Sequence, residues 1–333
     1  MSSGSDIVTV VGGSGFVGRH VVRALAKRGL RVRVAVRRPD LAFHLQPLGS
    51  VGQIHAVQAN VRYPESLLSA MHGASAVVNL VGILQPSGRQ TFKAVQEDGA
   101  AAIATAAAQA GVHRLIHLSA IGADANSQSV YAQTKALGEE AAQNAFANTV
   151  VIRPSVVFGP EDQFFNRFAA LARVFPALPL PGGGTTKLQP VFVSDVAEVV
   201  ARAVEGHINA GVYELGGPQI KTLREIVTYI CEVTGRKRFI APLPWPIARI
   251  QAGLMEFADK VTFGLLPDDL MITRDQVTLL QTDNIVSQSA IEAGHTLAGL
   301  GITPTSYEAI VPSYLWRFRK TGQFKADTQN SNV

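Results

Sequence analysis

The chain has 333 residues, of which 47% are hydrophobic and 17% charged, a composition that excludes a disordered chain and suits one large domain or two smaller ones. Its net charge of +5 is modest and its basic clusters (Arg31 and Arg33 with Arg37 and Arg38; Arg236 to Arg238; Arg317 to Lys320) are short, which argues against nucleic acid as a partner. The single cysteine, Cys231, excludes an intrachain disulfide, fits a reducing compartment and reads as a small buried apolar residue.

In chain order, runs rich in β-branched residues predict strands at Asp6–Val11, Arg31–Val36, Ile54–Gln58, Ala76–Val81, Arg114–Leu118 and Thr149–Arg153. Helical periodicity falls between several of them, at Val17–Lys27, Pro64–Met71, Gly99–Ala110 and Tyr131–Phe146. This alternation predicts an α/β fold with a doubly wound parallel Rossmann sheet over residues 1–155. Near-continuous apolar strands such as Ala76–Val81 fit burial on both faces.

After Arg153 the pattern is less regular and predicts a smaller, irregular α/β domain over residues 156–325. Its pieces are helices at Val193–Val204 and Leu223–Val233 and a strand at Val212–Leu215, with the Pro/Gly connectors PALPLPGGG (176–184) and PLPWP (242–246). The apolar-rich stretch Trp245–Val261 is expected to be an amphipathic helix on that domain's core. The competing expectation is a surface, reaching to residue 286, that meets a membrane or another subunit. Residues 326–333 are expected to form a disordered tail. No apolar run approaches the roughly 18–20 residues of a membrane span, and the first strand begins too early to leave room for a presequence, so a cytoplasmic location is expected.

Four stretches carry chemistry. The first is GGSGFVG, which satisfies Gly13-x-Gly15-x-x-Gly18 and Gly12-x-x-Gly15-x-x-Gly18 at once, between an apolar strand and a helix. Glycine permits the tight reversal and lets backbone approach a pyrophosphate, while the helix aims its first amides and positive dipole at the phosphates; Gly12, Ser14, Gly15, Phe16, Val17 and Gly18 are the candidate contacts. The second is VAVRRPD: Arg37 and Arg38 stand where an NAD site places its acid, and guanidinium groups match a 2′-phosphate, so NADP(H) is expected over NAD(H). The third comprises the ends of two further strands, with Asn60 and Val61 at the adenine and Val81 and Gly82 along the cofactor.

The fourth is Tyr131-Ala-Gln-Thr-Lys135, which follows the fifth strand and opens a helix. The i, i+4 spacing puts phenol and ammonium on one face, and the ammonium favours the phenolate, making Tyr131 a candidate proton donor or acceptor with Lys135 beside it. Weaker features read as structural: His113 and His117 as packed histidines rather than metal ligands, and Asp195 as a helix N-cap or first-turn acid. No metal site is expected.

With these motifs in order, followed by NLVG, HLSAIGA, RPSVVFGPED, QPVFVSDVA and YELGGP, the chain resembles the extended short-chain dehydrogenase/reductases. The resemblance implies a cofactor-holding Rossmann domain and a smaller C-terminal domain closing over it, with segments near 190–216 returning to the first domain. It also implies that Tyr131 and Lys135 hydrogen-bond the nicotinamide ribose and that Arg153, Pro154, Ser155 and Val156 lie at the nicotinamide end. Within that family the chain is most similar to the atypical branch that includes an NADPH-holding accessory subunit of respiratory complex I, through HLSAIGA, RPSVVFGPED, MITRDQVTLLQTDNIV and the Tyr307 to Phe318 region.

This branch implies tight NADPH binding without turnover, complex I subunits as partners, and a place on the cytoplasmic face of the inner membrane (the matrix side in a mitochondrion). One departure bears on catalysis. Ser119, the candidate third catalytic residue, comes first in its loop and is followed by Ala120 and Ile121, so its hydroxyl is expected out of the register of active relatives. The alternatives are an active NADPH-dependent reductase or epimerase-type enzyme, conceivably in quinone metabolism, and an NADPH redox sensor. The substrate is not legible.

Overall fold

The computed structural model describes residues 6–261, 272–322 and 324; the expected tail at 326–333 and Met271 lie outside the described residues. Up to the sixth strand the elements are β1 (Ile7–Val11), α1 (Phe16–Lys27), β2 (Arg31–Val36), β3 (Ile54–Gln58), α2 (Pro64–Met71), β4 (Ala74–Asn79), α3 (Asp98–Gln109), β5 (Arg114–Leu118), α4 (Val130–Ala145) and β6 (Thr149–Pro154). There follow β7 (Val157–Phe158), α5 (Phe165–Val174), β8 (Ala177–Pro181), β9 (Lys187–Leu188), β10 (Val191–Phe192), α6 (Val193–Val204), β11 (Gly211–Leu215), β12 (Lys221–Thr222) and α7 (Leu223–Val233). The last are β13 (Phe239–Leu243), α8 (Trp245–Val261), α9 (Arg274–Leu279), α10 (Gln288–Glu292), α11 (Tyr307–Ile310) and α12 (Pro312–Leu315).

The chain forms two compact units. The first takes the chain up to Ser155 with Val191–Gly216 and Val286–Pro304; the second takes Val156–Pro190, Gly217–Ile285 and the chain from Thr305. The sheet of the first unit has the order β11-β6-β5-β4-β1-β2-β3, with every pair parallel. Parallel strands must bury both faces, and Val8, Val10, Val77 and Val78 are fully buried accordingly. One face is covered by α2, α3 and α4, the other by α1 and α6, whose pairing is tied by Arg28 to Glu198 (2.7 Å) and Glu205 (3.1 Å). Strand order reverses between β1 and β4, so the crevice at their carboxyl ends is where a doubly wound sheet binds ligands.

The stretch Val286–Pro304, which the sequence reading gives to the smaller domain, lies in the first unit because it covers the edge strand β11. Glu214 N donates to His295 O (2.9 Å), His295 Nδ1 lies 3.0 Å from Val212 O, and Ser287 N donates to the Glu214 carboxylate (2.7 Å). An otherwise open parallel edge is thereby satisfied.

The second unit has a parallel pair, β8 with β13, and a short antiparallel pair, β9 with β12. An aromatic cluster of Phe158, Phe165, Tyr229 and Tyr307 fills its interior, with ring centroids 5.1–6.5 Å apart. The amphipathic expectation for α8 is inverted. The helix buries Ala248 and Ala252 against Val277 and leaves Ile247, Ile250, Leu254 and Phe257 exposed. Among the described residues no helix is long and apolar enough to cross a membrane.

Before α3 the chain forms one π-helical segment, Lys93–Glu97, which no periodicity in the sequence foretells. It is pinned by Gln96, whose Nε2 donates to Ile83 O (2.7 Å) and whose Oε1 accepts from Thr134 Oγ1 (2.9 Å). Against it lies Gly138 of α4, where an added Cβ would stand 2.1 Å from Gln96 O. In a helix interior Gly→Ala normally adds about 1 kcal/mol of stability. Here the sign reverses: Gly138→Ala is expected to destabilise by about 1–3 kcal/mol through overpacking, measured as a lowered urea midpoint at unchanged m-value.

Candidate functional site

The glycine turn joins the carboxyl end of β1 to α1. Gly12 has φ +82°, a conformation that side chains other than glycine rarely adopt. A Cβ on Gly13 would lie 2.8 Å from Val34 Cγ1, and one on Gly18 would lie 2.6 Å from Gly12 O and the Gly13 backbone. Both are therefore glycine so that α1 can press onto the turn and the sheet. Gly15 differs. It is exposed at the N-cap of α1, and a Cβ there would meet only Gly12 O at an ordinary 3.4 Å. Protein packing does not demand glycine at 15, so the space it leaves faces whatever approaches the helix from outside.

That helix end suits an anion. The N-cap offers no side-chain hydrogen bond, no acid stands in the first turn, and the first intrahelical bond runs from Arg19 N to Gly15 O (3.0 Å). The amides of Phe16, Val17 and Gly18 precede that bond and face outward with the positive end of the dipole. Ser14 lies in the turn between.

At the end of β2, Arg37 and Arg38 are both exposed. Arg38 pairs with Asp40 (2.7 Å), which holds the Asp40 carboxyl below its ordinary range. Arg37 forms no ion pair with any described residue. Of the two expected cations, one is thus uncommitted and the other is held by a solvent-exposed carboxylate that an anion can replace. Beyond β3, Asn60 Oδ1 accepts from Arg62 N (3.1 Å), an Asx turn leading into α2, and Val61 packs on Gly99 of α3. Asn60 is therefore partly occupied in shaping its own loop.

Strand β4 ends at Asn79, two residues before the expected end, and its side chain shapes the turn beyond the strand. Asn79 Oδ1 accepts from Val81 N (3.0 Å), so its Nδ2 is the donor to His117 Nδ1 (3.0 Å). His117 is fully buried on β5, and burial first, then the Lys135 charge, push its pKa down to about 3. The imidazole is thus neutral, with its proton on Nε2. His113 precedes the strand and is exposed, so the two histidines do not act together.

Lys135 projects from α4 to the end of β5, where Nζ donates to Leu118 O (3.2 Å). It is buried, and desolvation lowers its pKa to about 8 against the opposing pull of Glu139 one turn along. Gly82 stands where an added Cβ would be 3.2 Å from Lys135 Nζ, so glycine keeps that ammonium's space clear. Tyr131, one turn earlier, is half-buried with its ring edge-on to Phe92 (5.9 Å). Ser119 follows β5; its N donates to Ile152 O (2.7 Å), and its buried Oγ bonds to no described residue.

A ring of charge closes the floor. Arg153 of β6 holds Glu139 of α4 through contacts of 2.6–3.1 Å and lies 3.8 Å from Glu214 of β11. The i, i+4 relation of Lys135 and Glu139 was the available signal for that acid; nothing local marks Phe92 as a neighbour of Tyr131, Gln96 of Thr134 or Asn79 of His117. Pro154 ends β6 and its carbonyl accepts from Ile121 N (3.0 Å); buried Ser155 donates its N to Leu215 O (2.9 Å). Val156 belongs to the second unit. Asp195 is a buried first-turn acid of α6, whose N-cap is Phe192. Among the described residues no cluster of His, Cys, Asp and Glu could hold a metal.

The first unit thus brings the glycine turn, the Arg37 corner, Gly82, Ser119, Tyr131 and Lys135 to the carboxyl edge of one sheet. Comparison with known proteins places this arrangement. The NAD dependent epimerase/dehydratase family matches residues 8–216. The Arabidopsis thaliana protein named NADH dehydrogenase (ubiquinone) 1 alpha subcomplex subunit 9, mitochondrial, is 34% identical over 100% of this chain and 83% of its own length. The ceramide reductase of Caulobacter vibrioides is 31% identical over 78% of this chain and 82% of its own. Among solved structures, the dTDP-glucose 4,6-dehydratase DesIV from Streptomyces venezuelae, with NAD bound, has a TM-score of 0.70 over 94% of this chain and 96% of that one, at 18% identity, and so shares the fold. The chain belongs to the NAD dependent epimerase/dehydratase family, the extended branch of the short-chain dehydrogenase/reductases.

Proposed function

We propose that the chain is an NADPH-holding accessory protein of the respiratory complex I type, in which the nucleotide supports the structure rather than turning over. The observation that carries this reading is the end-to-end identity with a protein named as a complex I subunit, at 34% over the whole chain. Gly12 to Gly18 hold the pyrophosphate, Arg37 and Arg38 the 2′-phosphate, Asn60 and Val61 the adenine side, and Ser119, Tyr131 and Lys135 the ribose at the other end. The room at Gly15, the uncapped α1 N-terminus and the unbonded Ser119 Oγ fit such a ligand. Association with the complex is peripheral, through the exposed apolar stripe of α8.

The second reading is an active reductase. It is favoured by the buried Lys135, by the unbonded Ser119 Oγ, and by the similarity to a ceramide reductase. In that case NADPH supplies the hydride. The chain's own contribution is a proton held at the Tyr131 phenol, one helical turn from Lys135. The two readings share a site and differ in whether the Tyr131 proton moves.

Cofactor choice is tested by titration calorimetry. NADPH is expected to bind well ahead of NADH, and Arg37→Ala to weaken NADPH by about 10–100-fold, the range of a lost charge-assisted contact, with NADH unchanged. Equal binding of both nucleotides by the natural chain refutes the assignment. Turnover is tested by Tyr131→Phe in a strain lacking the gene. A structural nucleotide predicts normal co-purification with the membrane complex and near-normal NADH:quinone activity. An enzyme predicts a loss of about 10²–10⁴-fold in its reaction at normal protein level.

The buried ammonium adds a pH signature. Lys135 titrates near pH 8 when folded and near 10.4 when unfolded, so between those values the unfolded chain binds more protons and burial of the lysine becomes less costly as pH rises. Lys135→Met is therefore expected to be more stable than the natural protein at pH 7, an advantage that shrinks between pH 8 and 10 in paired urea melts without nucleotide. An advantage independent of pH would mean that Lys135 is not desolvated.

A further inference from the structure

The second unit carries a concentration of cations that its own fold does not neutralise. Arg173, Arg236, Arg238, Arg317 and Arg319 pair with no carboxylate among the described residues. Four of the five are held instead by neutral oxygens: Arg236 by Phe318 O (2.9 and 3.1 Å), Arg238 by Ala172 O (2.6 Å), Arg319 by Val233 O (2.8 Å) and Arg317 by Pro160 O (3.1 Å) and Asn166 Oδ1 (2.5 Å). Each guanidinium has five N–H donors, so most donors and all of the charge remain for solvent or a ligand. These bonds draw the end of α5, the loop after α7 and the segment 316–319 together.

Between α5 and that segment lies a cleft of about 350 Å³. Phe318 lines it, with the guanidinium carbons of Arg173 and Arg317 at 5.9 and 5.3 Å from the ring centroid. Arg167 and two acids also line it. Asp162 is spent: it is buried, Oδ2 accepts from Tyr314 OH (2.6 Å) and Gly159 N (3.2 Å), and Oδ1 accepts from Asn166 N (3.1 Å). Glu161 lies exposed at the rim. Arg173 itself stays exposed and donates no hydrogen bond to a described residue, its guanidinium lying over the Phe318 ring.

Large apolar side chains stand exposed in the same segments: Val174 and Phe175 at the end of α5, Phe239 bonded through its N to Pro176 O, and Trp316. Cations mixed with exposed aromatics suit a surface where charge meets phosphate and rings enter the layer beneath. A polynucleotide would require cations spaced along a track of successive phosphates. Here Arg173 and Arg317 converge on one ring and one cleft.

We propose that this cleft takes the phosphodiester of an anionic phospholipid headgroup, with Arg173 and Arg317 on the phosphate and Phe175, Phe239 and Trp316 entering the bilayer interface. The cleft belongs to the second unit and the nucleotide turn to the first, and the proposal does not depend on the complex I reading.

The test is flotation of the full chain with vesicles of phosphatidylcholine alone or mixed with phosphatidylglycerol, at low and high salt. The expected result is binding only to the mixed vesicles, weakened by salt, and reduced about 30-fold in the Arg173→Gln, Arg317→Gln double variant, the fold-change of two surface cations. Arg173→Gln alone disturbs no hydrogen bond in the fold and should lose about fivefold. A Lys27→Gln, Arg31→Gln variant, which removes as much charge from the first unit, should bind as the natural chain does. NADPH-dependent melting of the same samples checks folding and tests the nucleotide site separately. The proposal is overturned by equal binding to neutral vesicles, by equal losses in the two double variants, or by undiminished binding of Arg173→Gln, Arg317→Gln. Tight binding of glycerol phosphate without vesicle binding would overturn it in favour of a soluble ligand. Capture of a single-stranded oligonucleotide in preference to vesicles would overturn it in favour of nucleic acid.

Discussion

The approach of α1 to the ends of β1 and β2 is the constraint on which the rest of the first unit depends. A side chain at Gly13 would run into Val34 and Val10 of the strands, and one at Gly18 into the backbone of the turn at Gly12 and Gly13, so either would push the helix off its seat. Because the helix stays down, its first amides sit at the carboxyl edge beside the reversal point of the sheet, with neither a capping side chain nor an acid in the first turn to compete for them. Hence the same contact that fills the core also leaves a positive, unsatisfied helix end at the surface. Packing explains Gly13 and Gly18, and the unfilled space at Gly15 is a feature packing alone does not require.

A second constraint is the burial of charge beneath that edge. Lys135 lies out of water with a backbone carbonyl as its acceptor, and its nearest acid, Glu139, is already engaged by Arg153. Removing one partner of such a group strands the other, which makes the loss of either costly. Arg153 also reaches towards Glu214 on the edge strand, and Glu214 in turn receives the backbone of Ser287. The late segment 286–304 therefore joins the first unit through polar bonds at a strand edge as well as by burying Ala290, Leu297 and Ile302.

The fold carries several activities in its relatives, including a named complex I subunit and a named reductase, so the scaffold does not choose among them. The second unit presents an apolar helix face to its surface. Helix α8 buries alanines and exposes isoleucine, leucine and phenylalanine, the reverse of a helix made to cover a core. It is on this stripe that the proposed peripheral association rests.

Much of the first unit was legible in the residues themselves. Alternating periodicities fix six parallel strands to within two residues at each end, and the β1–α1 glycine turn and the Tyr131–Lys135 pair are local patterns whose spacing carries their geometry. Helix boundaries at 64–71, 193–204, 223–233 and 245–261 are legible for the same reason, since hydrogen bonding within a helix is a property of neighbours in sequence. The π-helical turn before α3, the occupation of Arg38 by Asp40, the Asn79–His117 pair and the choice between the two readings of α8 were not legible. Each depends on which distant atoms arrive beside a residue: Gln96 is held by Thr134, and Asn79 is turned by Val81 before it can meet a histidine 38 positions away. The class of fold and the place of the nucleotide turn follow from the residues alone, because both rest on short-range periodicity. Which polar groups are spent on the fold and which remain available follows from burial and from partners brought together from far apart in the chain, and so is visible only once the chain is folded.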